Sequence, residues 1–249
     1  ATATSKATYY IKFENDGYMG TPFYISGSGS SSGWTVTYHG QEIGQDDITI
    51  SVTDGTWFTP GLGGGGVKII RLEVQPDGTV EGGTVFPVDI IMSENIAPPS
   101  SDTVRAETTC TPINKPDLQI KESLIGSYTG NGIYNTTGAS QTLSANIINN
   151  RVVSYHIKLE NDGNITTAFT VTGTASTGGW IVTYYDAPDG GSDITISITD
   201  GSWLSNPLPY AATQEIRVEI SPGLGVTGGS IKDVYIAMMS SAMSDVVKA

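Results

Sequence analysis

The chain has 249 residues, 31 of them glycine and one of them cysteine, and a formal net charge of −13. That acidity argues against nucleic acid, whose phosphates would be repelled, and the lone Cys110 excludes an intrachain disulfide. No apolar run approaches the roughly 18 residues of a spanning helix, so no membrane insertion is expected.

In chain order the pattern has a period of two. Tyr9, Ile11 and Phe13 share one face of a first strand, closed by Asn15-Asp16-Gly17, residue types that accept positive φ in a tight turn. Phe23 through Ser26 is a second strand, and Gly27 to Gly33 a small, polar and mobile tip. Trp34, Val36 and Tyr38 alternate with threonines in a third strand. Asp47 through Val52 is a fourth, Val67 through Gln75 a fifth, Thr84 through Met92 a sixth and Asp102 through Ala106 a seventh. Cys110 reads as a small buried residue just before a linker, Thr111 to Pro116, whose prolines favour extended backbone.

The chain then repeats itself. Tyr9-Tyr10-Ile11-Lys12-Phe13-Glu14-Asn15-Asp16-Gly17 returns as Tyr155-His156-Ile157-Lys158-Leu159-Glu160-Asn161-Asp162-Gly163, an offset of 146 residues. The same offset carries Gly33-Trp34 onto Gly179-Trp180, Asp47-Ile48-Thr49-Ile50 onto Asp193-Ile194-Thr195-Ile196, and Asp54-Gly55-Thr56-Trp57 onto Asp200-Gly201-Ser202-Trp203. Asp102 through Ala106 matches Asp245 through Ala249 at 143, so the last connection of the second copy is shorter. Two tandem modules favour a protein of spacing and display over one of chemistry. The expected division is a first sandwich at 1–110, a linker at 111–116 and a second sandwich at 117–249.

The second copy alone has a leader, Asp117-Leu118-Gln119-Ile120-Lys121, which reads as a strand. Without it the first sandwich begins with an open edge, a template for another chain. The competing explanation is excision from a longer array, and an opening of Ala1-Thr2-Ala3-Thr4 without Met fits processing or excision.

The run Gly33 through Tyr38, an Asp-Ile-Thr segment, Ile70 through Pro76 and Gly82-Gly83, repeated at Gly179 through Tyr184, Ile216 through Pro222 and Gly228-Gly229, resembles a known class. It is similar to the immunoglobulin-like repeats of prokaryotic surface and secreted proteins, including the cell-adhesion-related repeats of bacteria. Pro116 through Lys121, with Gly132-Ile133-Tyr134-Asn135 downstream, looks like the opening phrase of such repeats. The resemblance implies an all-β chain of two tandem immunoglobulin-like β-sandwich domains, about seven strands each. It also implies stalks, adhesin segments, filament subunits or accessory modules of carbohydrate-active enzymes. The glycine run Gly61 through Gly66 departs from the pattern.

The chemistry is sparse. His39 and His156 fall at different repeat positions and neither joins a Ser-His-Asp or Cys-His pattern, so no enzyme is expected. Asp186, Asp189 and Asp193, with Asp46 and Asp47 in the first copy, offer loop oxygens for Ca2+; the competing reading is a solvated turn. Trp57 and Trp203 are either sugar-stacking platforms for polysaccharide or repeated core plugs. Asn135-Thr136-Thr137 and Asn164-Ile165-Thr166 are glycosylation sequons. The expected function is a non-enzymatic extracellular or cell-surface protein, self-associating or joined to neighbouring modules. Its assembly strands would be Asp117 through Lys121 and the segment around Val246 and Val247.

Overall fold

A computed structural model describes residues 5–41, 43–44, 46–94, 100–241 and 243–249. The chain divides into two units, Ala1–Thr111 and Pro112–Ala249. In the first, β1 (Ala7–Glu14), β2 (Phe23–Gly27), β3 (Trp34–His39), α1 (Thr49–Thr53), β4 (Val67–Pro76), β5 (Val85–Glu94) and β6 (Ser101–Thr109) follow one another. They form two antiparallel sheets, ordered β1-β4-β3 and β2-β5-β6. Alternation sends Phe13, Val36, Tyr38, Ile70, Leu72 and Val74 from one sheet, and Phe23, Ile25, Val88 and Ile90 from the other, into a single core.

The second unit contains β7 (Pro116–Glu122), β8 (Val153–Asn161), β9 (Thr170–Gly173), β10 (Trp180–Tyr185), α2 (Thr195–Asp200), β11 (Thr213–Pro222), β12 (Tyr235–Met239) and β13 (Ser244–Lys248). Its sheets are ordered β10-β11-β8-β7 and β13-β12-β9, again around one core, with Leu118, Ile120, Ile157, Leu159, Val218 and Ile236 all fully buried. Residues 113–115, expected as linker, are bonded into this unit. The Ile113 N–H donates to Asn164 Oδ1, and the N–H groups of Asp162 and Asn164 donate to the carbonyls of Lys115 and Ile113.

The repetition extends to individual bonds. Asn15 Nδ2 donates to the carbonyls of Met19 and Leu62, and Asn161 Nδ2 to those of Ile165 and Leu208. Each Asn also accepts the N–H two residues on, from Gly17 and Gly163. This corrects the expected positive-φ turn: none of Asn15, Asp16 and Gly17 has positive φ, because the buried asparagine side chain shapes the bend itself. The glycine-rich departure also closes. Asn15 exchanges backbone bonds with Gly65 and Gly66 as Asn161 does with Ala211 and Ala212. The Gly27–Gly33 tip, expected as mobile, is tied by Val36 N–H to Ser30 Oγ, matched by Val182 to Ser176.

The fourth expected strand is a helix in both copies. Asp47-Ile48-Thr49-Ile50 alternates, but Asp47 Oδ1 accepts the Thr49 N–H at 2.8 Å, and Asp193 accepts that of Thr195 at 2.8 Å. These carboxylates satisfy an amide that a helix start leaves free. Thr49 and Thr195 hydroxyls then accept the N–H groups of Tyr38 and Tyr184, fixing each helix beside its strand. Ile48 and Val52, four apart, are buried, whereas Ile50 is 80% exposed; a strand would have put all three on one face. The first unit therefore shows six strands among its described residues and the second seven. Among the described residues, β7 is the strand without a counterpart.

Candidate functional site

The difference between the units sits on one edge. β8 pairs with β11 on one side and with β7 on the other, in the register Leu118↔Leu159 and Ile120↔Ile157. Its repeat equivalent, β1, pairs with β4 alone among the described residues. Burial follows. Tyr155 and Ile157 are 2% and 0% exposed, whereas Tyr9 and Ile11, at the same repeat positions, remain half-buried. Gly163 carries a second trace of the leader: a Cβ there would stand 2.3 Å from the Ile113 carbonyl oxygen. Gly17 keeps the same open position, meeting nothing nearer than its own Asn15 side chain at 3.1 Å.

β7 also builds an acidic cluster that the sequence reading missed. Asp117 stands directly across from Glu160, and like charges opposite one another are unfavourable unless bridged. Gln119 Nε2 bridges them, donating to Asp117 Oδ2 at 3.0 Å and Glu160 Oε2 at 2.7 Å, and Lys158 Nζ lies 3.0 Å from Glu160 Oε2. The Tyr134 hydroxyl donates to Asp162 Oδ2. Asp117, Glu160 and Asp162 each offer a ligand atom, all within 4.8 Å of one another. Burial pushes the Asp117 carboxyl up to about 6, against the pull of the Gly132 N–H. The sequence offers Asp117 as a member of an assembly strand and not as a metal ligand. The available signal was its carboxylate in an otherwise bonded strand, facing a Glu160-Asn161-Asp162 strand end.

The expected site residues are placed as follows. Asp117 through Lys121 form the body of β7 and are buried within their own unit. Val246 and Val247 pair with Ala237 and Ile236 of β12. Asp186, Asp189 and Asp193 do not converge: each accepts a nearby backbone N–H, from Ser192, Gly190 and Thr195 respectively. Trp57 and Trp203 are half-buried against the two cores. Asn135 Oδ1 accepts the N–H groups of Thr137 and Ala139 in a local turn, whereas Asn164 Oδ1 accepts that of Ile113, 51 positions away. His39 Nε2 lies 3.3 Å from Glu73 Oε2, and buried His156 sits between Lys121 and Arg217 on the neighbouring strands. Cys110 is buried, as expected.

No known protein family matches the chain, and no curated protein matches it. Among solved structures, the C-terminal domain of the Streptococcus agalactiae AgI/II polypeptide BspA aligns at 11% identity with a TM-score of 0.26, over 98% of this chain and 91% of that one. The class 5 fimbriae chaperone CfaA aligns at 8% identity with a TM-score of 0.25, over 97% and 92% of the two chains. Overlap of this depth assigns no function.

Proposed function

We propose that the chain is a non-enzymatic extracellular structural protein of two immunoglobulin-like sandwich modules, joined into a surface array or filament through a β-strand edge. The carrying observation is the β1 edge: Tyr9 and Ile11 stay half-exposed where β7 buries Tyr155 and Ile157. The occupant that fits is a strand of the β7 type from a neighbouring subunit or module. It would add main-chain bonds along β1 and cover Ile11 as Ile120 covers Ile157. Gly17 leaves room for the residues preceding that strand, as Gly163 does. Because β7 is committed to its own unit, donation of this segment in exchange would strip β8, and a separate copy of the motif is the better donor.

A synthetic peptide of residues 112–122 tests this. Saturable binding to the full chain, with amide-exchange protection confined to β1 and loss of binding when Ile120 of the peptide becomes Asp, is the expected result. Absence of binding at ~1 mM peptide, an affinity below any useful strand addition, would overturn the reading. Electron microscopy should show linear assemblies that shorten as peptide is added.

A further inference from the structure

We propose that Asp117, Glu160 and Asp162 form a calcium site that fastens the opening strand of the second unit to its neighbour. All the donors are oxygens, with no histidine or cysteine among them, which selects a hard cation. Ca–O distances of ~2.4 Å put opposed ligands ~4.8 Å apart, and the three ligand atoms fall within 4.8 Å of one another. Mg2+ keeps most of its waters and is seldom held by a protein-built carboxylate cage, which makes Ca2+ the better occupant.

The independent observation is an unmet oxygen. Asp117 is 0% exposed, and its Oδ1 has no hydrogen-bond partner. A buried carboxylate oxygen left bare is costly, and an ion is one of the few occupants that repays it. Two further oxygens adjoin the cluster. Asn131 Oδ1 lies 3.4 Å from the Gln119 amide, and the Tyr134 hydroxyl adjoins Asp162. Among the described residues, only Lys158, on Glu160, supplies a directly paired cation to the three carboxylates. β7 and β8 carry the carboxylates of Asp117 and Glu160, so one bound ion would cross-link two adjacent strands beside the bridge that Gln119 makes.

The first unit holds the other half of such a site. Glu14 and Asp16 occupy the repeat positions of Glu160 and Asp162, and the equivalent of Asp117 is the residue a docked strand would bring. This extension rests on the edge-docking proposal, whereas the site in the second unit does not.

Calorimetric titration of the chelator-treated full chain with Ca2+ is the test. One site in the second unit, an upward shift of its melting transition, and at least a tenfold weaker response in Asp117→Asn are expected. Asp162→Asn, in a less buried position, should weaken binding in the same way and guards against a folding defect at Asp117. Asp186→Asn should bind as the parent does, which separates the cluster from the Asp-rich loop. No heat and no thermal shift up to ~10 mM Ca2+, weaker than extracellular sites, would overturn the assignment, as would undiminished binding by folded Asp117→Asn and Asp162→Asn. Calcium that tightens the 112–122 peptide on β1, but not its Asp117→Asn form, would establish the half-site. Binding in the second unit without that effect would leave the cluster standing and reject the extension.

Discussion

Gly27 and Gly173 occupy one repeat position, under the rings of Tyr38 and Tyr184. A Cβ on either glycine would stand 2.4 Å from the tyrosine hydroxyl oxygen. Both rings are fully enclosed, and their hydroxyls donate to the carbonyls of Ser28 and Thr174 at 2.9 and 3.0 Å. Neither ring has space to withdraw, so Gly173→Ala should cost about 2–3 kcal/mol, read as a fall in urea midpoint at constant slope. Tyr184→Phe keeps the volume and loses the bond, and should cost about 1 kcal/mol. His156 makes the pH prediction. Burial, then the nearby Lys121, holds its pKa below the usual 6.5, opposed by Glu215 and Asp189 and reinforced by Arg217. The folded chain therefore resists a proton that the unfolded chain accepts. This contribution is complete above 6.5 and declines as pH falls through that value. The stability difference between parent and His156→Gln should shift in favour of the variant between about pH 8 and pH 5. An unchanged difference in urea titrations would show that the ring is not held neutral.

At the level of elements, the two short helices show what decides between periods. The segments Asp47 through Val52 and Asp193 through Ile198 satisfy a strand pattern and fold as helices. Their side-chain bonds to backbone amides are local, and alternation does not record them. Asp193→Ala removes one such bond and should cost about 1 kcal/mol. Ile198→Ala empties a fully buried position, at about 2–5 kcal/mol, and both effects are checked by urea denaturation. β7 makes the opposite case. Its sequence is read correctly as a strand because Leu118 and Ile120 alternate with polar residues. Its burial on both faces is not legible, since the residues that meet it include Asp245, 127 positions from Leu118.

For the whole molecule, repetition was the most legible property, because an offset of 146 residues needs no structure to be seen. The strands framed by Tyr9, Trp34 and Val67 were legible for the same reason that they form: one apolar face, one polar face, and glycines or asparagines at the ends. The acidic cluster was hidden because its members are 45 positions apart from Asp117 to Asp162 and meet only through the β7–β8 register. Each unit has its own apolar core, so Gly27→Ala should lower the melting transition of the first unit and Gly173→Ala that of the second, as calorimetry of the full chain would resolve.

Asp245 acquires a different meaning once a pull is applied to the chain. It is fully buried in β13, the closing strand of the second unit, and its Oδ2 accepts the Leu118 N–H of β7, the opening strand, at 2.7 Å. Its Oδ1 accepts from the Asn135 N–H and from Gln141 Nε2. Tension entering at Pro116 and leaving at Lys248 thus reaches one carboxylate that short-circuits the 127 positions between Leu118 and Asp245. Rupture would begin at that latch, and the intervening strands would be spared load until it parts. Single-molecule extension of Asp245→Ala should show the second unit yielding at lower force, with the first unit's rupture peak unmoved.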